Sequence, residues 1–243
     1  MSKKKIIIIL SSVLGLIAVL AAAFFIYVGI YYHADTDAIA AYSYDGYDLR
    51  EMDEGTLAFV PKGDFDTGIV FYPGGKVEYE AYVPLMQCLA SKGVLCILVE
   101  MPFNLAVFDF DRATDTYEGF FMVEHWYMAG HSLGGAMACK YVDTKQHLFD
   151  GVILLASYST VDLSNSALRF LSIYGSNDGV LDMDAYADNK KNLPNDVVEY
   201  VIDGGNHAYF GVYGEQKKDG EATVTNKEQI EITAEQIVNF LSK

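Results

Sequence analysis

The stretch WYMAGHSLGGAMACKYV, residues 126–142, decides how this chain is read. An apolar run, Trp126 to Ala129, passes into Gly130-His131-Ser132-Leu133-Gly134, and small residues follow. A strand that turns directly into a helix favours glycine on both sides of the turn residue, because a Cβ there meets neighbouring backbone. The turn residue, Ser132, is then raised above the strand end. The first N–H groups of the following helix face any negative charge that develops beside it. A nucleophilic serine needs that setting.

Outward from this turn, short β-like runs alternate with helical patterns. GTLAFVP, TGIVFYP, VLCILVEMP, HWYMAG, GVILLAS, LRFLSIYG and VVEYVIDGG read as strands. The near-continuous apolar run VLCILVEMP is expected of a strand buried on both faces. Tyr82, Leu85, Met86 and Leu89 keep helical spacing up to a stop at Gly93. Thr225 and Glu228 stand in capping-box spacing before a stripe of Ile230, Ala234, Ile237 and Leu241. The alternation predicts an α/β fold with a mostly parallel central sheet and helices on both faces. In such sheets, function collects at the carboxyl ends of the strands.

Three further strand ends carry chemistry. After Tyr72 comes Pro73-Gly74-Gly75-Lys76, where main-chain N–H groups can face a cavity. Gly75 or Lys76, together with the N–H of Leu133, would form an oxyanion hole. After SIYG, Asp178 lies in a loop and can orient a histidine; Asp182 and Asp203 are its rivals. After VIDGG comes His207, the only one of five histidines in a loop beyond the last strand. The order Ser, Asp, His is that of α/β-hydrolases and differs from the chymotrypsin and subtilisin orders.

The bulk numbers narrow the function. The 243 residues suffice for one buried domain plus an appendage. Residues after 34 keep 14 of the 17 basic side chains and all 33 acidic ones, a charge of −19. Such a domain has no electrostatic footprint for nucleic acid and repels polyanions. Cys88, Cys96 and Cys139 fit no metal motif and read as buried apolar residues. Ile6 to Tyr32 contains no charge and is long enough to cross a membrane. The apolar run continues past Ala21-Ala22-Ala23, the one stretch resembling a signal-peptide cleavage site, so an uncleaved anchor is expected. Lys3–Lys5 would stay in the cytoplasm and the rest outside. The expected organisation is a cytoplasmic tip and transmembrane anchor over 1–34, a polar linker over 35–55, and a catalytic domain over 56–243.

With these residues in view, the chain resembles the α/β-hydrolase superfamily, and within it small membrane-anchored bacterial members. The stretches that carry the resemblance are YPGGKVEYEAYVPLMQCLASKG, MPFNLAVF, HWYMAGHSLGGAMA, SIYGSNDGV and GGNHAYFGVYGEQKKDGEAT. The resemblance implies a triad of Ser132, Asp178 and His207 and an acyl-enzyme route on a small acyl substrate. It implies no particular substrate, since such folds cleave esters, thioesters and amides. One departure stands out: many relatives carry His-Gly before the oxyanion glycine, where this chain has Tyr72-Pro73-Gly74-Gly75. The chemistry requires no cofactor and no metal. Only about a dozen residues separate GVILLAS from LRFLSIYG, so little or no cap is expected. Phe103 and Phe108 are candidate substrate-binding residues, with core packing as the alternative. The competing functions are an acyltransferase or peptidase on the same scaffold and a non-catalytic membrane-tethered binding module.

Overall fold

The apolar runs become the strands of one eight-stranded sheet in the computed structural model, which describes residues 3–114 and 116–242. The strands are β1 (Tyr47–Glu51), β2 (Leu57–Pro61), β3 (Thr67–Tyr72), β4 (Leu95–Leu98), β5 (His125–His131), β6 (Gly151–Leu155), β7 (Arg169–Gly175) and β8 (Val198–Ile202). Their spatial order is β1-β2-β4-β3-β5-β6-β7-β8. The β1–β2 and β2–β4 pairs are antiparallel and every other pair is parallel. The chain runs from β3 to β4 on one side and then crosses back to β5 on the other side of β3. The crevice above the ends of β3 and β5 is therefore the switch point where such sheets bind ligands.

Alternation along the central strands supplies two cores. Ile69 and Phe71 face the side covered by α3 (Val83–Ala90) and α6 (Asn226–Leu241). Val70 and Tyr72 face the side covered by α4 (Leu133–Lys145). All of these strand residues are fully buried, which is why the sequence runs are apolar without interruption. The capping box of α6 forms as its spacing requires, with Thr225 and Glu228 bonded reciprocally. The three cysteines are free and buried. Residues 156–168, between β6 and β7, hold no helix, so no cap covers the sheet there.

The stretch 35–55, expected as a linker, carries α2 (Thr36–Ile39) and β1. The sheet thus starts at Tyr47, ahead of the expected boundary at 56. β1 is an edge strand with four of its five residues exposed, so it lacks the apolar alternation that marks a strand in sequence. α5 (Met183–Asn189) was also silent in the sequence pattern, since Tyr186 is its only buried residue.

The chain divides into two compact units at the Tyr31–Tyr32 junction. In the first, α1 (Lys3–Val28) has 26 residues, about 39 Å at 1.5 Å per residue. It is long and apolar enough to cross a membrane.

Candidate active site

Four loops meet above the carboxyl ends of β3, β5, β7 and β8, and the sharpest turn is the one after β5. Ser132 sits at φ 51°, ψ −123°, between β5 and α4. A left-handed φ on a residue with a Cβ costs about 1–3 kcal/mol and persists only where the surroundings enforce it. Here they do. A methyl on Gly130 would lie 2.6 Å from the carbonyl carbon of Gly134, and one on Gly134 would lie 2.2 Å from the carbonyl oxygen of Pro73. The glycine spacing is therefore a steric requirement of packing α4 onto β3 and β5. The Ser132 N–H donates to Leu155 O at 2.9 Å, and Ser157 Oγ donates to Ser132 O at 2.6 Å. Both bonds fix the turn and leave the Ser132 side chain out of helix capping.

The β7 and β8 loops bring a carboxylate and an imidazole together. His207 Nδ1 lies 2.8 Å from Asp178 Oδ2, and the two side chains are 2% and 1% exposed. The other oxygen of Asp178 accepts the N–H groups of Val180 (2.8 Å) and Leu181 (2.7 Å), which locks the carboxylate toward the ring. His207 Nε2 is buried and makes no hydrogen bond. His207 and Ser132 line one cavity of 310 Å³ together with Leu133, Ala136, Met137, Val180 and Leu181. The rival carboxylates have other places. Asp182 lines this cavity but caps α5 through the N–H of Ala185, and Asp203 is exposed on the turn after β8.

Of the expected oxyanion donors, Leu133 is the first residue of α4, so its N–H has no acceptor within the helix. Gly75 packs against it: a methyl on Gly75 would lie 2.7 Å from Leu133 Cδ2. Lys76 is different. Its N–H donates to Asn104 O at 2.7 Å and is thereby engaged, which leaves Gly75 of the two alternatives. Phe103 and Phe108 stack edge to face at 5.8 Å and are about half exposed. They do not line the Ser132 cavity, whose apolar wall comes from α4 and the loop after Asp178. The Phe103 backbone itself is left-handed, at φ 56°, next to Asn104 at φ 55°.

Two groups that sequence reasoning passed over support the site from behind. Asp219 gathers four backbone N–H groups. Its Oδ1 accepts from Gly179 (3.1 Å), His207 (3.1 Å) and Gly220 (2.9 Å), and its Oδ2 from Ala208 (2.8 Å). One carboxylate thus ties the Asp178 loop to the His207 loop. Nothing in the sequence marks it, because it acts on main-chain atoms that every residue carries. His131, next to the serine in the turn, is fully buried with its ring 4.5 Å from that of His207. Its Nδ1 meets the Tyr82 hydroxyl at 2.8 Å, and that hydroxyl accepts the N–H of Gly74 at 3.0 Å.

Burial, followed by the neighbouring His207, holds His131 well below its ordinary pKa. The folded protein therefore keeps this ring neutral where the unfolded chain takes up a proton, below about pH 6.5. Because the unfolded state binds more protons in that range, stability falls as pH falls, by up to about 1.4 kcal/mol per pH unit from this group. Urea unfolding at pH 7, 6 and 5 should show a shallower pH slope for His131→Asn than for the unaltered chain. Equal slopes would rule the effect out.

A model described as Alpha/beta hydrolase family matches residues 68–231, from β3 into α6. Est1E from Butyrivibrio proteoclasticus superposes with a TM-score of 0.57 at 15% identity, covering 82% of this chain and 100% of that one. Another Est1E structure has ferulic acid bound. TT1662 from Thermus thermophilus gives 0.60 at 13% identity, covering 82% and 100%. A predicted CIB-like hydrolase from Thermoplasma acidophilum gives 0.55 at 17%, covering 80% and 100%. These likenesses are of fold. A comparison with curated proteins returns no match.

Proposed function

The chain belongs to the alpha/beta hydrolase family, and from that premise we propose that it is a serine esterase working through Ser132, His207 and Asp178. It is a hydrolase. The observation that carries the esterase reading is the unpartnered, buried Nε2 of His207, a residue that lines one cavity together with Ser132. A buried imidazole nitrogen without a partner is costly unless a reacting group uses it. In unliganded enzymes the serine–histidine contact is commonly loose and tightens with substrate.

In this reading, Ser132 Oγ attacks the carbonyl carbon and its proton passes to His207 Nε2. The carbonyl π pair moves to oxygen, and the N–H groups of Leu133 and Gly75 donate to the resulting oxyanion. Collapse breaks the bond to the alcohol, which leaves with the proton held by His207. Water then attacks the acyl-serine by the same path, with His207 again as base. Asp178 holds the Nδ1 proton throughout and stabilises the imidazolium. A fluorophosphonate probe tests this directly. It should label the full chain at Ser132, and absence of labelling at that residue would end the reading.

Helix α1 anchors the hydrolase in the cell membrane as a single pass, with Lys3–Lys5 in the cytoplasm and the catalytic domain outside. After alkaline carbonate extraction, the full-length chain should remain with the membranes, and protease added to intact cells should degrade its catalytic domain. A shortened, freely released chain would instead identify a cleaved signal.

A further inference from the structure

A second cavity of 540 Å³ neighbours the first, with Ser157 and Tyr158 lining both. Ser157 also holds the Ser132 carbonyl, which couples this shared lining to the backbone of the nucleophile. The chambers differ in chemistry. The one at Ser132 is small and walled by Ala136, Met137, Val180 and Leu181. The other is lined by the polar side chains of Tyr158, Ser164, Asn165, Asn189 and Asn195 and by apolar Leu193 and Val197; Asn189 and Ser164 are also bonded within the protein, to Ala185 and Asn192 and to Asp162.

An ester whose carbonyl sits at Ser132 must send its two halves in different directions. Resting on the esterase reading above, we propose that the apolar chamber takes a short acyl group and the polar chamber takes a neutral, hydroxyl-rich alcohol of sugar or polyol type. Amides and hydroxyls donate and accept at once, as the hydroxyls of such an alcohol do. The apolar Leu193 and Val197 in the lining suit the C–H face of a sugar ring. An anionic alcohol fits less well. Lys190, the cation nearest to a carboxylate here, is paired with Glu199 at 2.6 Å, which leaves Lys191 as the other cation in the lining. The domain around it carries a charge of −19, from 33 acidic and 14 basic side chains.

The test uses the full chain in detergent and compares kcat/KM for a methyl 6-O-acetylglucoside with that for ethyl acetate. The glucoside ester should be preferred by at least about tenfold, the worth of one or two well-placed hydrogen bonds. Tyr158→Phe and Asn165→Leu should each lower that ratio about fivefold to tenfold. Equal kcat/KM for the two esters, or a ratio unmoved by both variants, overturns the proposal. So does a preference for the methyl ester of a sugar acid, which reverses the two halves, or for an acetylated glycerol phosphate, which makes the alcohol anionic. Ser132-dependent hydrolysis of p-nitrophenyl acetate without the glucoside preference removes only this inference. Loss of the Ser132 dependence removes the esterase reading along with it.

Discussion

Ser132→Ala is expected to lower kcat for p-nitrophenyl butyrate by about 10⁶-fold while leaving the fold intact. The size follows from the three residues acting as a unit. Without the hydroxyl no acyl-enzyme can form, and His207 and the oxyanion donors retain only their weak action on water. The stability half follows from the turn itself. Alanine keeps a Cβ, so the strain at φ 51° is unchanged. The Ser132 side chain caps nothing in α4, and the bonds that hold the turn run through its N–H and C=O. The unfolding free energy should therefore change by no more than about 0.5 kcal/mol. Retention of more than a hundredth of the hydrolysis rate would mean that another nucleophile acts.

The parts of this site legible in the sequence are those fixed by sterics. Gly130 and Gly134 must be glycine because α4 lies against β3 and β5, and that constraint singles out Ser132 without reference to any partner. Asp178 and His207 were readable as strand-end residues because β7 and β8 are apolar runs with clear ends. What the sequence hides is anything settled between distant main-chain atoms. Lys76 and Gly75 are adjacent and look alike as donors. Only the carbonyl of Asn104, 28 residues on, separates them. Asp219 is hidden for the same reason, since its four partners are N–H groups. Phe103 and Phe108 stand out as aromatic residues in a strand-end loop, but side-chain type says nothing about direction: they stack on each other and are not among the residues lining the Ser132 cavity. The edge strand β1 and the short α5 bury too little to leave a period.

Asp178→Asn should lower kcat by about 10⁴-fold with KM changed only a few-fold. The side chain is nearly isosteric, and its oxygen can still accept the N–H groups of Val180 and Leu181, as Asp178 Oδ1 does. The amide then turns an NH₂ toward His207 Nδ1, where the carboxylate had accepted the Nδ1–H hydrogen bond. Nδ1 becomes an acceptor and the ring proton moves to Nε2, so the nitrogen proposed as the base for Ser132 can no longer take a proton. The loss is one of tautomer, not of position. Asp219→Asn makes the contrast. Asp219 touches no imidazole atom, only the backbone on both sides of the pair. Turning an NH₂ toward those donors should lower the unfolding midpoint and misplace the loops, costing about 10²-fold in kcat. The Asp178 variant should therefore be the less active and the more stable of the two. If Asp178→Asn kept a tenth or more of the rate, Asp178 would not be the residue that orients His207, and Asp182, already at the cavity wall, would take its place in the reading.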